Sequence, residues 1–152
     1  MAVKWLVLMR FWLLTLGGFF VLCGCNGKTG PVVLDSNNAP LVAQGAALYQ
    51  DNCARCHGAG LEGQPNWRVR KPDGKLPAPP HNADGHTWHH PNAMLVDVVR
   101  NGLVPPNAPA GYKSDMPAFA SRLSDAQIGA VLSYIQSRWP ADVWQYRKEN
   151  GL

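Results

Sequence analysis

Cys53, Cys56 and His57 stand within one five-residue stretch, Cys53-Ala54-Arg55-Cys56-His57, and all three carry side chains that bond to metals or to electrophilic carbon. Two thiols separated by two residues and followed at once by an imidazole form the spacing used for covalent haem attachment. Each thiol adds to one vinyl group of the macrocycle, and the imidazole ligates the iron. A dithiol redox centre is an alternative, and it favours a strand-to-helix setting with a low thiolate pKa. Half of a zinc site and a plain disulfide are further alternatives. The adjacent His57 favours haem, and no second close cysteine pair follows to complete a site of four thiolates.

Met116 is the second candidate. It follows Gly111-Tyr112-Lys113-Ser114-Asp115 and precedes Pro117-Ala118-Phe119, about sixty residues beyond the cysteine pair and outside any helical apolar stripe. A thioether is a soft ligand suited to haem iron, and the following proline stiffens its presentation. Core packing and plain exposure are the alternatives for Met116. Met94, by contrast, lies in helical register with apolar neighbours and reads as core. His81, His86, His89 and His90 form a dense third group. One of them is a candidate axial ligand and several together a candidate copper or zinc site, but hydrogen-bonded loop histidines are the plainer reading.

Three helices would position these groups. Residues 41–52 are rich in helix formers, with apolar or small residues at 41, 45, 48 and 49, and they run directly into the cysteine pair. Gly45 costs about 1 kcal/mol there against alanine, a cost that a close helix crossing would offset. Residues 92–100 form a short amphipathic helix between Pro91 and Gly102, with Met94, Leu95, Val98 and Val99 as its buried face. Ser124-Asp125-Ala126-Gln127 is a capping box, followed by Ile128, Val131, Leu132, Ile135 and Trp139 before Pro140. The tail from Asp142 to Leu152 carries one more potential helical turn with no readable role. Between the first two helices, residues 64–91 hold repeated proline and glycine and no sustained period. So long a loop needs a surface to wrap, and a macrocycle covered by Trp67, Leu76 and Trp88 supplies one. Asn66, Trp67, Arg68, Arg70 and Lys71 are candidate donors to anionic propionates, although a solvated face is the simpler reading of the charged run.

The order of these features resembles the class I c-type cytochromes: a first helix with a small residue and then an aromatic, the cysteine pair with His57-Gly58, a late Met-Pro-x-Phe element and an amphipathic last helix. The resemblance spans residues 41–140. It implies an all-α fold with helices and long loops wrapped around one covalent haem c, held by Cys53 and Cys56, with His57 and Met116 as metal ligands. It also implies that Gly45 and Tyr49 meet Ala130 and Tyr134 where the first and last helices cross, and that the Gly102 to Asp115 loop borders the haem edge. The 79–91 segment resembles an insert in a subset of small monohaem cytochromes.

The chain opens with Lys4 and Arg10 and an uncharged run from Phe11 to Leu22, too short to span a bilayer comfortably but suited to an export signal. Leu22-Cys23-Gly24-Cys25 resembles a bacterial lipoprotein signal, with Cys25 becoming the acylated first residue. An ordinary signal, a free Cys25 and an uncleaved anchor from Trp5 to Leu22 are the alternatives. The expected layout is a signal over 1–24, a tether over 25–40, the cytochrome domain over 41–140 and a tail over 141–152. Loss of Lys4 and Arg10 lowers the net charge from +4 to +2, and no basic stretch with interleaved aromatics supports nucleic-acid binding. With both axial positions of the iron filled, the expected function is one-electron transfer rather than catalysis. Redox proteins such as a membrane quinol-oxidising complex, a terminal oxidase or an exported reductase are the expected partners, and the lipid anchor places the chain on the outer side of a bacterial membrane. A haem enzyme or subunit with a displaceable methionine, and a sensor or metal-handling protein, are the competing functions.

Overall fold

The computed structural model describes residues 32–152. The expected signal, Cys25 and the first part of the tether lie outside the described residues. Among the described residues there are five α-helices, one 3₁₀ turn and no strand. Helix α1 (Ala39–Asn52) begins two residues before the expected start, because the Asn38 side chain accepts a hydrogen bond from Leu41 N–H at 3.1 Å and Pro40 fits the first turn. Helix α2 (Ala54–His57) follows after Cys53, whose own N–H still closes the last turn of α1 on Tyr49. Helix α3 (Asn92–Asn101) ends at Gly102 as expected. Helix α4 (Asp125–Ser137) starts with both halves of the expected capping box, Ser124 Oγ accepting from Gln127 N–H and Gln127 Oε1 from Ser124 N–H.

The core gathers Tyr49 of α1, Leu95 and Val96 of α3, Ile128, Val131, Leu132 and Ile135 of α4, and Leu61, Phe119, Leu123, Trp139 and Val143 around them. Helices α1 and α4 make the principal helix contact. A Cβ on Gly45 would fall 1.9 Å from Ala130 O, so only glycine lets the two backbones approach this closely. One turn farther on, the rings of Tyr49 and Tyr134 stand 5.4 Å apart. On the other side of α4, Asp35 N–H donates to Ser133 Oγ at 2.9 Å, and Val32 and Leu34 pack on the core. Residues 32–35, expected within a tether, therefore lie along α4 as an ordered lead-in.

Helix α3 departs from its expected face: Leu95 and Val96 are buried, while Met94, Val98 and Val99 are half-buried. A short helix covered on more than one side buries more than a single stripe. Helix α3 packs on α4, and the chain after Met116 pairs with its end, Phe119 N–H to Val99 O at 3.0 Å and Ala120 N–H to Arg100 O at 3.1 Å. Arg100, in the last turn of α3, also reaches Asp125 in the first turn of α4 at 2.6 Å, a placement that suits both helix dipoles.

The tail is a full helix, α5 (Ala141–Glu149), and its buried face is Val143 and Arg147. Arg147 is 1% exposed. Its guanidinium donates to Trp88 O, His90 O and Asn92 Oδ1 at 2.7, 2.9 and 2.9 Å, and it lies 5.0 Å over the Trp139 ring. Among the described residues no carboxylate pairs with it, so carbonyl dipoles offset the cost of its burial. Arg147→Met keeps the packing volume but strips three acceptors of their donor while relieving a buried charge. The net expected loss is about 2 kcal/mol. Urea unfolding of the purified protein checks this, and an unchanged midpoint would show that the buried cation contributes nothing.

The middle loop is closed at its neck rather than free. Gln64 N–H donates to Ala78 O at 2.9 Å, His81 N–H to Leu61 O at 2.8 Å and Gly63 N–H to His57 O at 2.7 Å. Gly63 has φ +70° and a Cβ there would meet Pro80 N at 2.4 Å, so the neck needs glycine on both counts.

Candidate haem site

Two helices meeting at Cys53 set the geometry of the cysteine pair. Cys53 is half-buried where α1 passes into α2, and Cys56 is exposed one turn later. The two are not joined in a disulfide. Burial pushes the Cys53 thiol up to about 11, with Cys56 adding to the rise and the Arg122 guanidinium opposing it. The pair stands in a helix-to-helix setting, whereas a dithiol centre favours a strand-to-helix one.

His57 ends α2 and is 8% exposed. Its Nδ1 lies 2.8 Å from Pro79 O, so Nδ1 carries the proton and Nε2 keeps a free lone pair. Burial holds the imidazole below its ordinary pKa, while the Pro79 bond pulls the other way. Tyr49 steadies the same turn, its hydroxyl donating to Gly58 O at 3.1 Å and standing 3.4 Å from His57 O. Burial raises the Tyr49 phenol well above its usual range, so it remains a donor at neutral pH.

His81 stacks on His57, with ring centroids 3.9 Å apart and planes 19° from parallel. Trp139 Nε1 donates to its carbonyl at 2.9 Å, and its own Nδ1 is buried without a hydrogen-bond partner. Burial, then the neighbouring His57 and His86, holds its pKa well below the ordinary value. The other histidines pair with aromatics: His86 with Trp67, His89 with Trp88 at 3.7 Å, and His90 edge-on to His86. Among the described residues no three His, Cys, Asp or Glu side chains converge to hold a metal ion. The aromatic contacts of these histidines accord with the plainer reading, in which they are structural members of the loop.

Met116 is half-buried and packs against the same core as Cys53 and Ala54. Its N–H donates to Ser114 Oγ at 3.0 Å, and Gly102 approaches its carbonyl. The basic run of the loop is engaged with protein groups: Arg68 lies 4.2 Å over Trp67, Arg70 donates to Gly74 O at 2.7 Å, and Lys71 pairs with Asp115 at 3.0 Å. Trp88, expected against a macrocycle, packs on the core and on Tyr146 of α5.

Two thiols, one capping and one within a short helix, with an imidazole whose Nε2 is free to ligate and a loop thioether, are chemically the donor set that covalent haem requires. Sequence reasoning missed the Pro79 carbonyl, the Tyr49 hydroxyl and the His81 ring as supports of His57. No local pattern announces contacts made across the neck of a loop.

Residues 40–135 match the protein family described as cytochrome c oxidase, cbb3-type, subunit III. The chain is 35% identical over 100 residues to the cbb3-type cytochrome c oxidase subunit CcoP of Azospirillum sp., covering 66% of this chain and 29% of that protein. It is 32% identical over 95 residues to the FixP subunit of Azorhizobium caulinodans, covering 62% and 28%. Similarity to the gluconate 2-dehydrogenase cytochrome c subunit of Pantoea cypripedii is 30% over 100 residues, covering 62% and 20%. The chain spans less than a third of the length of these curated relatives. No solved structure matches it.

Proposed function

We infer the function from the chain's family: it belongs to the cytochrome c domains described as cytochrome c oxidase, cbb3-type, subunit III, which carry covalent haem c in the all-α class I fold. The reading is a monohaem cytochrome that relays single electrons between redox proteins, without catalysis of its own. Bound haem supplies an iron that gains and loses one electron. Cys53 and Cys56 would hold the macrocycle through thioethers, and His57 Nε2 and Met116 Sδ would ligate its iron. The observation that carries this reading is the Nδ1 bond of His57 to Pro79 O, which fixes the tautomer and aims a basic nitrogen from the residue directly after the cysteine pair. Met116, as a soft thioether in a largely apolar setting, would raise the reduction potential relative to two imidazoles.

The partners proposed are a terminal oxidase, a membrane quinol-oxidising complex or a dehydrogenase or reductase outside the cytoplasm. The names of the relatives, which are subunits of an oxidase and of a dehydrogenase, support this. Acylated Cys25 would hold the domain at the outer side of a bacterial membrane. Among the described residues no helix is long and apolar enough to cross one.

Met116→Ala tests the ligand set. The absorption and magnetic circular dichroism of a His/Met haem are expected in the parent and lost in the variant. An unchanged spectrum rejects Met116, and intact mass without lipid on Cys25 rejects the anchor.

A further inference from the structure

The basic run of the middle loop does something other than line a solvated face. Residues 70–75 form a self-supporting turn: Lys71 N–H donates to Lys75 O at 2.9 Å, Gly74 N–H to Lys71 O at 2.8 Å, and Lys75 N–H to Asp73 Oδ1 at 3.0 Å. The turn presents both ammonium groups to one carboxylate. Lys71 Nζ lies 3.0 Å from Asp115 Oδ2, and Lys75 Nζ binds Asp115 Oδ1. Arg70, from the same turn, places its guanidinium 5.4 Å over the ring of Tyr112. Three cations of one turn thus engage two residues of the segment that leads into Met116.

That segment has no regular structure to hold it. Among the described residues, the hydrogen bonds that leave residues 110–116 for distant parts of the chain all end on Asp115. On its far side the loop is fastened to α3 through the Phe119 N–H to Val99 O bond. Met116 therefore sits between a backbone anchor and an ionic one.

We propose that the 70–75 turn is a clamp on the methionine loop, with Lys71, Lys75 and Asp115 as positioning residues that keep Met116 on the iron. The proposal rests on Met116 as an iron ligand. An exposed ion pair contributes little by itself, but here one carboxylate is held by two ammonium groups, and a loop with one anchor cut samples far more positions. The contacts are exposed, so added salt opens the clamp by screening.

Carbon monoxide binding to the ferrous holoprotein reads this out, because the gas must wait for Met116 to leave. Asp115→Asn is expected to bind carbon monoxide about three- to tenfold faster than the parent, since losing the carboxylate charge cuts both pairs. Lys71→Gln/Lys75→Gln should match it, and 0.5 M salt should speed the parent while leaving both variants unchanged. Reversing the charges, with Asp115→Lys in a Lys71→Glu/Lys75→Glu background, should restore slow binding. Met116→Ala separates the two layers of the argument. If that variant binds carbon monoxide at once while Asp115→Asn, the lysine variant and salt leave the rate at the parent value, the clamp is wrong and the ligand assignment stands. If Met116→Ala itself behaves as the parent, both fall.

Discussion

Cys53→Ala/Cys56→Ala, matured in a host that attaches haem, is expected to yield a chain from which acid-organic extraction removes every porphyrin, where the parent keeps one. The two thiols sit one helical turn apart, so each addresses a different edge of the same ring. With both gone, the proposed ligands His57 and Met116 would remain, and the cofactor would be held by coordination and packing alone. Each single variant retains one thioether and so keeps haem through extraction. The folded state should weaken with the double substitution, because binding free energy that is no longer covalently secured is withdrawn from folding. Inseparable haem in the double variant would overturn the attachment site.

Gly45→Ala is the second large effect, and its sign is the informative part. In an exposed helix interior this exchange stabilises by about 1 kcal/mol. At position 45 the new methyl would lie 1.9 Å from Ala130 O, 2.5 Å from Ala130 C and 2.9 Å from Tyr134 Cβ. Two of those atoms are backbone in the middle of α4 and have no rotamer to yield with, so α1 and α4 must part. Parting also loosens Tyr49, whose hydroxyl steadies the turn at His57. A net loss of about 3 kcal/mol is expected once the propensity gain is subtracted. Thermal and urea unfolding of the holoprotein check it, and a variant as stable as the parent would mean that the crossing is looser than described.

Local rules carried the sequence reading a long way. The Ser124 and Gln127 cap, the stop at Gly102 and the apolar stripe of α4 involve only near neighbours, and each is found where expected. Gly45 against Ala130 was legible through family resemblance, since nothing in residues 41–52 alone says which helix approaches. Helix α5 was not legible, because its buried face includes an arginine, and a charge reads as solvent-facing until acceptors from another part of the chain gather around it. The supports of His57 were hidden for a similar reason. Pro79 and His81 reach it only because glycine at 63 folds the loop neck back on itself. The four clustered histidines read most plainly as structural, but their stacking on Trp67, Trp88 and His57 depends on how the loop folds and had no local signal.

The crossing of α1 with α4 also bears on the order of events during biosynthesis. A ribosome delivers Gly45 early and Ala130 late, so the first helix waits without its partner while most of the polypeptide is still being made. Long-range closure of this kind is slow compared with forming a single turn of helix. During that interval the residues ahead of Cys53 lack the packing partner that holds them in the finished fold. Docking of the late helix ends that wait, because the close approach of Gly45 to Ala130 then fixes where the first helix lies.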